Sequence, residues 1–162
     1  MREPTPRPGV LVTGGGRRLG AALCEAFARA GWPVWCQYYA SREEAEALCE
    51  RLRGEGHSAN AVEADIASEA RRRALVDRLC AEGPLGCIVN NASGFEPDTG
   101  LDFDEATALR QIGLNLIAPL DFARLLARHA AAGDGIDRCA LHILDQKVYN
   151  LNPDYFSYTV SK

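Results

Sequence analysis

Tyr158 and Lys162 stand four residues apart in the closing stretch "DYFSYTVSK". On a helix that spacing puts both side chains on one face. An ammonium beside a phenol is expected to lower the phenol's pKa and ready it for proton transfer near neutral pH. Hydride donation to a C=O or C=N bond needs such a proton donor. The pair alone is weak evidence, because a helix with one buried ring and one exposed amine shows the same residues. Three other polar stretches strengthen it: "NNASGF" (Asn90 to Phe95), Asn115, and "DQKVYN", which opens on Asp145. Asp145 read alone is a loop carboxylate making a turn hydrogen bond, and Phe95 read alone is a packing residue.

The elements that would position these groups follow from apolar periodicity. "GVLVTG" predicts a buried strand over Val10 to Val12. "LGAALCEAFARAG" predicts a helix with Leu23, Phe27 and Ala30 on one side and Gly31 as its stop. "PVWCQYY" is a second strand. "SREEAEALCERLRGEG" is a helix with a capping box at Ser41 and Glu44 and a stripe at Ala45, Leu48 and Leu52. "SANAVEADI" is a third strand, and Ser68 opens a helix with Ala74, Leu75 and Leu79 turned inward. "GCIVNNA" is a fourth strand. A loop and one or two helices fill Asp102 to Ala132, and "CALHIL", Cys139 to Leu144, is a fifth strand. After Pro153 the sequence reads as the first turn of a helix. Strands separated by helices pair in parallel through crossovers. Ligands of such sheets bind at the carboxyl ends of the strands, where the polar stretches converge.

"TGGGRRLG", Thr13 to Gly20, lies directly between the first strand and the first helix. The helix N-terminus offers unpaired N–H groups and positive dipole, and glycines let a pyrophosphate approach the backbone. An ordinary glycine-rich turn shares the composition, but not this position in a run of five strands. A fold that prefers NAD usually carries Asp or Glu at the end of the second strand. Here that place reads "YYASR", with no acid before Glu43. Ser41, Arg42 and Arg17 are candidates to hold a 2′-phosphate, since guanidinium binds phosphate through a bidentate fork. NADPH is the expected cofactor.

Composition narrows the classes. The 162 residues are 47% hydrophobic with a formal net charge of -4, which suits one folded domain. Residues 1–8 read as a disordered lead and 9–162 as the NADP-binding domain. Scattered basic residues in an acidic chain argue against a nucleic-acid partner or an anionic membrane surface. No apolar run approaches a membrane span, and "MREPTPRPG" has no apolar core of a signal peptide. The six cysteines form no C-x-x-C pair, so free, mostly buried thiols in a cytoplasmic chain are expected. Three distant histidines give no reason to expect a metal.

Taken together the motifs resemble the short-chain dehydrogenase/reductases. The matches are "TGGGRRLG", Asp65 in "ADI", "NNAS", Asn115 and "YTVSK", and they cover essentially the whole chain after the lead. The resemblance implies a doubly wound α/β Rossmann sheet of strand order 3-2-1-4-5. It implies a cofactor site drawn from Gly14, Arg17, Arg18, Leu19, Ser41, Arg42, Asp65, Asn91, Ala92 and Ser93. It implies a small-molecule substrate, a catalytic set of Tyr158, Lys162, Asp145 and Asn115, and assembly as a homo-dimer or homo-tetramer. Two positions depart from the family: Arg18 replaces a glycine, and Asp145, thirteen residues before Tyr158, replaces the serine. Both departures look like the pteridine reductase branch, as does "NNASGF". There Phe95 would stack on a pterin ring opposite the nicotinamide, with Ser93 and Arg18 touching substrate or cofactor phosphates. Asp145, if partly buried, is expected to have a raised pKa and to pass on a proton.

Family members continue past the Tyr/Lys pair with more helix and further strands. By resemblance those C-terminal strands are missing here, which leaves the fifth strand as an edge and Lys162 on an unfinished turn. An NADPH-dependent reductase whose sequence is the recorded part of a longer chain is the favoured expectation. A catalytically inactive, truncated nucleotide-binding fragment is the alternative.

Overall fold

The computed structural model describes residues 7–130, 134–151 and 153–162. Residues 1–6 of the expected lead lie outside that range. Arg7, within it, lies over the Trp32 ring at 5.1 Å.

Strands β1 (Gly9–Val12), β2 (Val34–Tyr38), β3 (Ala59–Glu63), β4 (Leu85–Asn90) and β5 (Cys139–His142) form one parallel sheet in the order β3-β2-β1-β4-β5. This is the order the resemblance implies. The order of strands reverses between β1 and β4, which opens a crevice at the strand ends. β1 and β4 are buried along their whole length, as central strands covered on both faces must be. Val10 and Val12 pack on one face with Cys24, Ala45 and Leu52, while Leu11 packs on the other with Leu79, Ile88 and Phe122. That alternation is the period-two geometry of a strand.

Helices α1 (Arg18–Arg29) and α2 (Arg42–Gly54) cover the first face. Helices α3 (Glu69–Glu82) and α5 (Ala118–Arg128) cover the second. The stripe of α2 is buried as the periodicity predicts, at Ala45, Leu48 and Leu52. That of α1 is turned from the expected one: Gly20, Cys24 and Ala28 are buried, Leu23 and Phe27 half-buried, and Ala30 exposed. Small residues let this helix sit close to the sheet, and its larger side chains flank the contact. Ala74 is likewise exposed on α3, where Leu75, Val76 and Leu79 are buried. Ser68 caps α3 by accepting from the N–H of Arg71. The capping box at Ser41 and Glu44 does not form, because Ser41 makes no side-chain cap bond and Glu44 pairs with Arg17.

Between β4 and β5, α4 (Glu105–Ile112) runs into a π-helical turn, Gly113–Ile117, and then into α5. Pro119 has no N–H to return to the carbonyl of Asn115, which favours a widened ladder there. The chain closes with a short 3-10 turn, Gln146–Val148, and α6 (Phe156–Ser161). All six cysteines are free, and Cys24, Cys36, Cys49 and Cys87 are buried. Burial pushes the Cys87 thiol up to about 11, so it is a poor nucleophile. No described helix is long and apolar enough to cross a membrane.

The second face holds a buried ion pair that apolar periodicity does not reveal. Arg72 of α3 donates through Nε to Asp121 of α5 at 2.8 Å and through Nη1 to the carbonyls of Ile66 and Ala67. The two side chains are only 4% and 7% exposed. Burial pushes the Asp121 carboxyl up, but the Arg72 and Arg124 guanidiniums outweigh it and leave the pKa below its ordinary value. The stabilisation this gives is complete above the ordinary carboxylate range and is lost as pH falls through the depressed pKa. Removing one partner leaves the other buried and unpaired. Asp121→Ala should therefore cost about 3–5 kcal/mol in urea unfolding at neutral pH, and a loss under 1 kcal/mol would contradict this account.

Candidate functional site

The carboxyl ends of β1, β2, β3 and β4 open into a cleft of about 800 Å³, a size that suits a dinucleotide with part of a substrate. Its floor is cross-tied. The Thr13 hydroxyl accepts from the N–H groups of Asn91 and Ala92, both at 3.0 Å. Asn91 donates back through Nδ2 to the carbonyls of Thr13 and Gly14. The N–H of Gly14 donates to Gln37 Oε1 at 2.9 Å, and Gln37 Nε2 donates to the carbonyl of Ala64. Gln37 thus links the glycine turn to Ala64, the residue that follows β3. The sequence signal for it is a glutamine inside the otherwise apolar run "VWCQY".

The glycines of the turn are required by close approach. Gly14 sits at φ +61, where a Cβ would lie 3.0 Å from the Cα of Ala92, and a Cβ on Gly20 would lie 2.1 Å from the Gly14 carbonyl oxygen. Arg18 has φ 49. It keeps the left-handed conformation favoured by the glycine it replaces, at a cost on the order of 1–2 kcal/mol. Arg17, Arg18, Leu19 and Gly14 all line the cleft, as do Asp65, Asn91, Ala92 and Ser93. Tyr39 and Ala40 line it at the end of β2.

Ser41 and Arg42 are not among the cleft-lining residues. Ser41 lies under Gly16. Arg42 pairs with Glu46 and Glu63, and its guanidinium lies 5.5 Å from the Tyr38 ring centroid. Arg17 is therefore the expected phosphate ligand that faces the cleft, and it is paired with Glu44.

At the far end of the cleft stand Phe95, Asp145 and Tyr158. The Tyr158 hydroxyl donates to Asp145 Oδ2 at 2.6 Å, and the N–H of Lys147 donates to Asp145 Oδ1 at 2.9 Å. The turn hydrogen bond and the contact with Tyr158 thus coexist on one carboxylate. The sequence led to the expectation of a lowered phenol and a raised carboxyl, and the structure reverses both. Burial, then the adjacent Asp145 carboxylate, pushes Tyr158 up to about 12. The hydrogen bond from Tyr158, followed by the Lys147 N–H, lowers Asp145. A donated proton stabilises the carboxylate, and the carboxylate makes phenolate formation harder. Lys162 Nζ lies over the Tyr158 ring, 5.5 Å from its centroid, and burial pushes its own pKa down.

Asn115 lies in the π-helical turn and is buried. Its Oδ1 accepts from Ser93 Oγ and the Gly94 N–H, and its Nδ2 donates to the Gly94 carbonyl and to Ser161 Oγ. It does not line the cleft. It fixes the strand-four loop to α6 from behind. Phe95 is 55% exposed, stacks on Tyr155 at 4.1 Å, and meets Tyr158 edge-on at 4.7 Å. Neither Tyr155 nor Gln37 belongs to the site read from sequence. Tyr155 sits at φ 60, a left-handed conformation that residue type does not announce.

Alkaline titration checks the electrostatics. Tyr158 is raised, so the stability it contributes is complete below pH 10 and falls as pH rises towards 12. Asp145 is depressed, so its contribution is present above the ordinary carboxylate range and is lost in acid. Absorbance at ~295 nm (the phenolate band), read as a difference against Tyr158→Phe, should show Tyr158 titrating near pH 12. Asp145→Ser should shift that transition down. An unshifted transition would contradict the coupling.

Comparison with known proteins agrees with this geometry. A family model described as short chain dehydrogenase matches residues 9–136. A short chain dehydrogenase/reductase of Macrophomina phaseolina is 35% identical over 137 residues, covering 82% of this chain and 77% of that protein. An oxidoreductase of Mycobacterium tuberculosis is 34% identical over 133 residues, covering 78% of this chain and 50% of the relative. Among solved structures, the FolM alternative dihydrofolate reductase 1 of Brucella canis complexed with NADP superposes with a TM-score of 0.89 at 36% identity. That match covers 97% of this chain and 62% of the other. A gluconate 5-dehydrogenase of Burkholderia cenocepacia in complex with NADP and tartrate gives a TM-score of 0.84 at 27% identity, over 96% and 60% of the two chains. The chain spans about half the length of several curated relatives it matches.

Proposed function

The chain belongs to the short-chain dehydrogenase family, and from that premise we propose that it carries the cofactor cleft and proton donor of an NADPH-dependent reductase acting on a pterin-like C=N bond. The observation that carries the reading is the Tyr158–Asp145 hydrogen bond at the end of the cleft, edge-on to Phe95. Its likeness to the NADP-bound FolM reductase supports the same direction.

The residues present fit the cofactor. Gly14 and Gly20 leave no room for side chains beside the turn, which opens the N-terminus of α1 to a pyrophosphate. Arg17, Arg18, Leu19, Asp65 and Ser93 all line the cleft; Arg17 would hold a 2′-phosphate and Asp65 would meet the adenine. Ser41 and Arg42 lie outside that lining and are given no contact with the cofactor. When bound, NADPH supplies the hydride. Tyr158 supplies a proton to the ring nitrogen. Asp145 does not act as the acid, because its pKa is lowered. It accepts from Tyr158 in the resting site, and the hydroxyl turns from Asp145 to the ring nitrogen to deliver its one proton. Loss of the Tyr158 proton leaves a phenolate beside a carboxylate, and the Lys162 ammonium over the ring offsets that charge. Proton loss from the pair is therefore a shared event with apparent values of its own. Tyr155 already covers one face of Phe95, so the pterin ring takes the other face. Asn115 holds the wall. Exposed Leu116, Ile117 and Leu120 support assembly as a dimer or tetramer.

Two tests follow. Tyr158→Phe should lower NADPH-dependent reduction of a dihydropterin by about a hundredfold or more, followed at ~340 nm (the NADPH absorbance band). Asp145→Ser should lower it while leaving NADPH binding within about twofold, and full turnover in both variants would overturn the assignment. In fluorescence titration, Arg17→Ala should weaken NADPH by about tenfold, or ~1.4 kcal/mol, and leave NADH nearly unchanged. Glu44→Gln, which releases Arg17, should tighten NADPH. Equal effects on both nucleotides would remove Arg17 from the phosphate site.

A further inference from the structure

Helix α6 carries Tyr158, so whatever holds its first turn also places that hydroxyl. Its N-cap position is Tyr155, at φ 60 and with no side-chain cap bond, where Ser, Thr, Asp or Asn would serve. The N–H groups of its first turn are met from a segment almost sixty residues earlier. The N–H of Phe156 donates to the carbonyl of Asp98 at 3.2 Å. The N–H of Ser157 donates to Asp98 Oδ1 at 3.0 Å. A carboxylate there also faces the positive end of the helix. The other end is tied by Asn115 Nδ2 to Ser161 Oγ at 2.8 Å.

Asp98 lies on the loop that also bears Phe95. Phe95 stacks on Tyr155, and Gly100 and Phe103 of the same loop lie against the ring of Phe156. The first turn of α6 is therefore held by the loop that bears Phe95.

We propose that Asp98 is a positioning residue. Through its carbonyl and carboxylate it caps the helix of Tyr158 from a distance, and so sets the Tyr158 hydroxyl against Asp145 at the edge of Phe95. The proposal rests on the reading of Tyr158 as proton donor. An Asn at this position keeps the side-chain acceptor for Ser157, and an Ala removes it while leaving the carbonyl that accepts from Phe156.

The test compares Asp98→Ala, Asp98→Asn and Tyr158→Phe in the NADPH-dependent assay, together with amide hydrogen exchange. Asp98→Ala should lower kcat by about tenfold to a hundredfold, as misplacement of a reacting group does. The dissociation constant of NADPH should stay within about twofold, and the Ser157 amide, which loses its acceptor, should exchange faster while β1 and β4 do not. Asp98→Asn should recover most of kcat. A purely structural role would instead speed exchange throughout the sheet and weaken NADPH in parallel. That result, or an unchanged kcat in Asp98→Ala beside an inactive Tyr158→Phe, overturns the proposal. Turnover retained in Tyr158→Phe would remove the donor reading itself. Unchanged exchange at Ser157 would then overturn the cap as well, and faster exchange there would sustain it.

Discussion

The hydrogen bond from Tyr158 to Asp145, 2.6 Å long, is the constraint around which the far end of the cleft is arranged. It joins the segment leaving β5 to the helix that follows, and it couples two ionisable groups in opposite senses. The carboxylate holds the phenol protonated, and the phenol holds the carboxyl ionised. Such a pair keeps the phenol protonated at neutral pH and rests that proton on Asp145. It can do so only if both segments arrive at the same edge of the sheet as the glycine turn.

The parallel order delivers them there. β5 pairs with β4 from Cys87↔Cys139 to Asn90↔His142, so the residues after His142 emerge beside those after Asn90. Asn115 then ties the strand-four loop to α6, and Thr13 and Gln37 tie the glycine turn to its neighbours. Buried polar groups of this kind are satisfied by one another. The cleft is therefore held by a chain of directional bonds laid over an apolar sheet.

Much of this was legible in the residues. Alternating strands and helices required a parallel sheet, and the glycine turn stood where β1 and α1 had to meet. The stripe of α2 and the cap at Ser68 followed from local spacing. Features set by distant partners were not legible. The expected capping box lost Glu44 to Arg17 across twenty-seven residues. Arg72 is charged and buried, because Asp121 faces it from another helix. Arg42 looked like a phosphate ligand and instead meets Glu63 on the neighbouring strand. The pKa directions of Tyr158 and Asp145 came out opposite to expectation, since folding buries the phenol and sets its hydroxyl on the Asp145 carboxylate. Local sequence reports periodicity and caps, and it is silent on which charges meet after folding.

The central claim is that the Tyr158–Asp145 pair presents one proton to a ring nitrogen lying against Phe95. A crystal structure of the protein with NADP and a dihydropterin analogue tests it most directly. The account predicts the Tyr158 hydroxyl within hydrogen-bond reach, roughly 2.6–3.2 Å, of both Asp145 and the ring nitrogen, with the ring on the face of Phe95 away from Tyr155. A ring bound elsewhere in the cleft, or an Asp145 turned away from Tyr158, would contradict it.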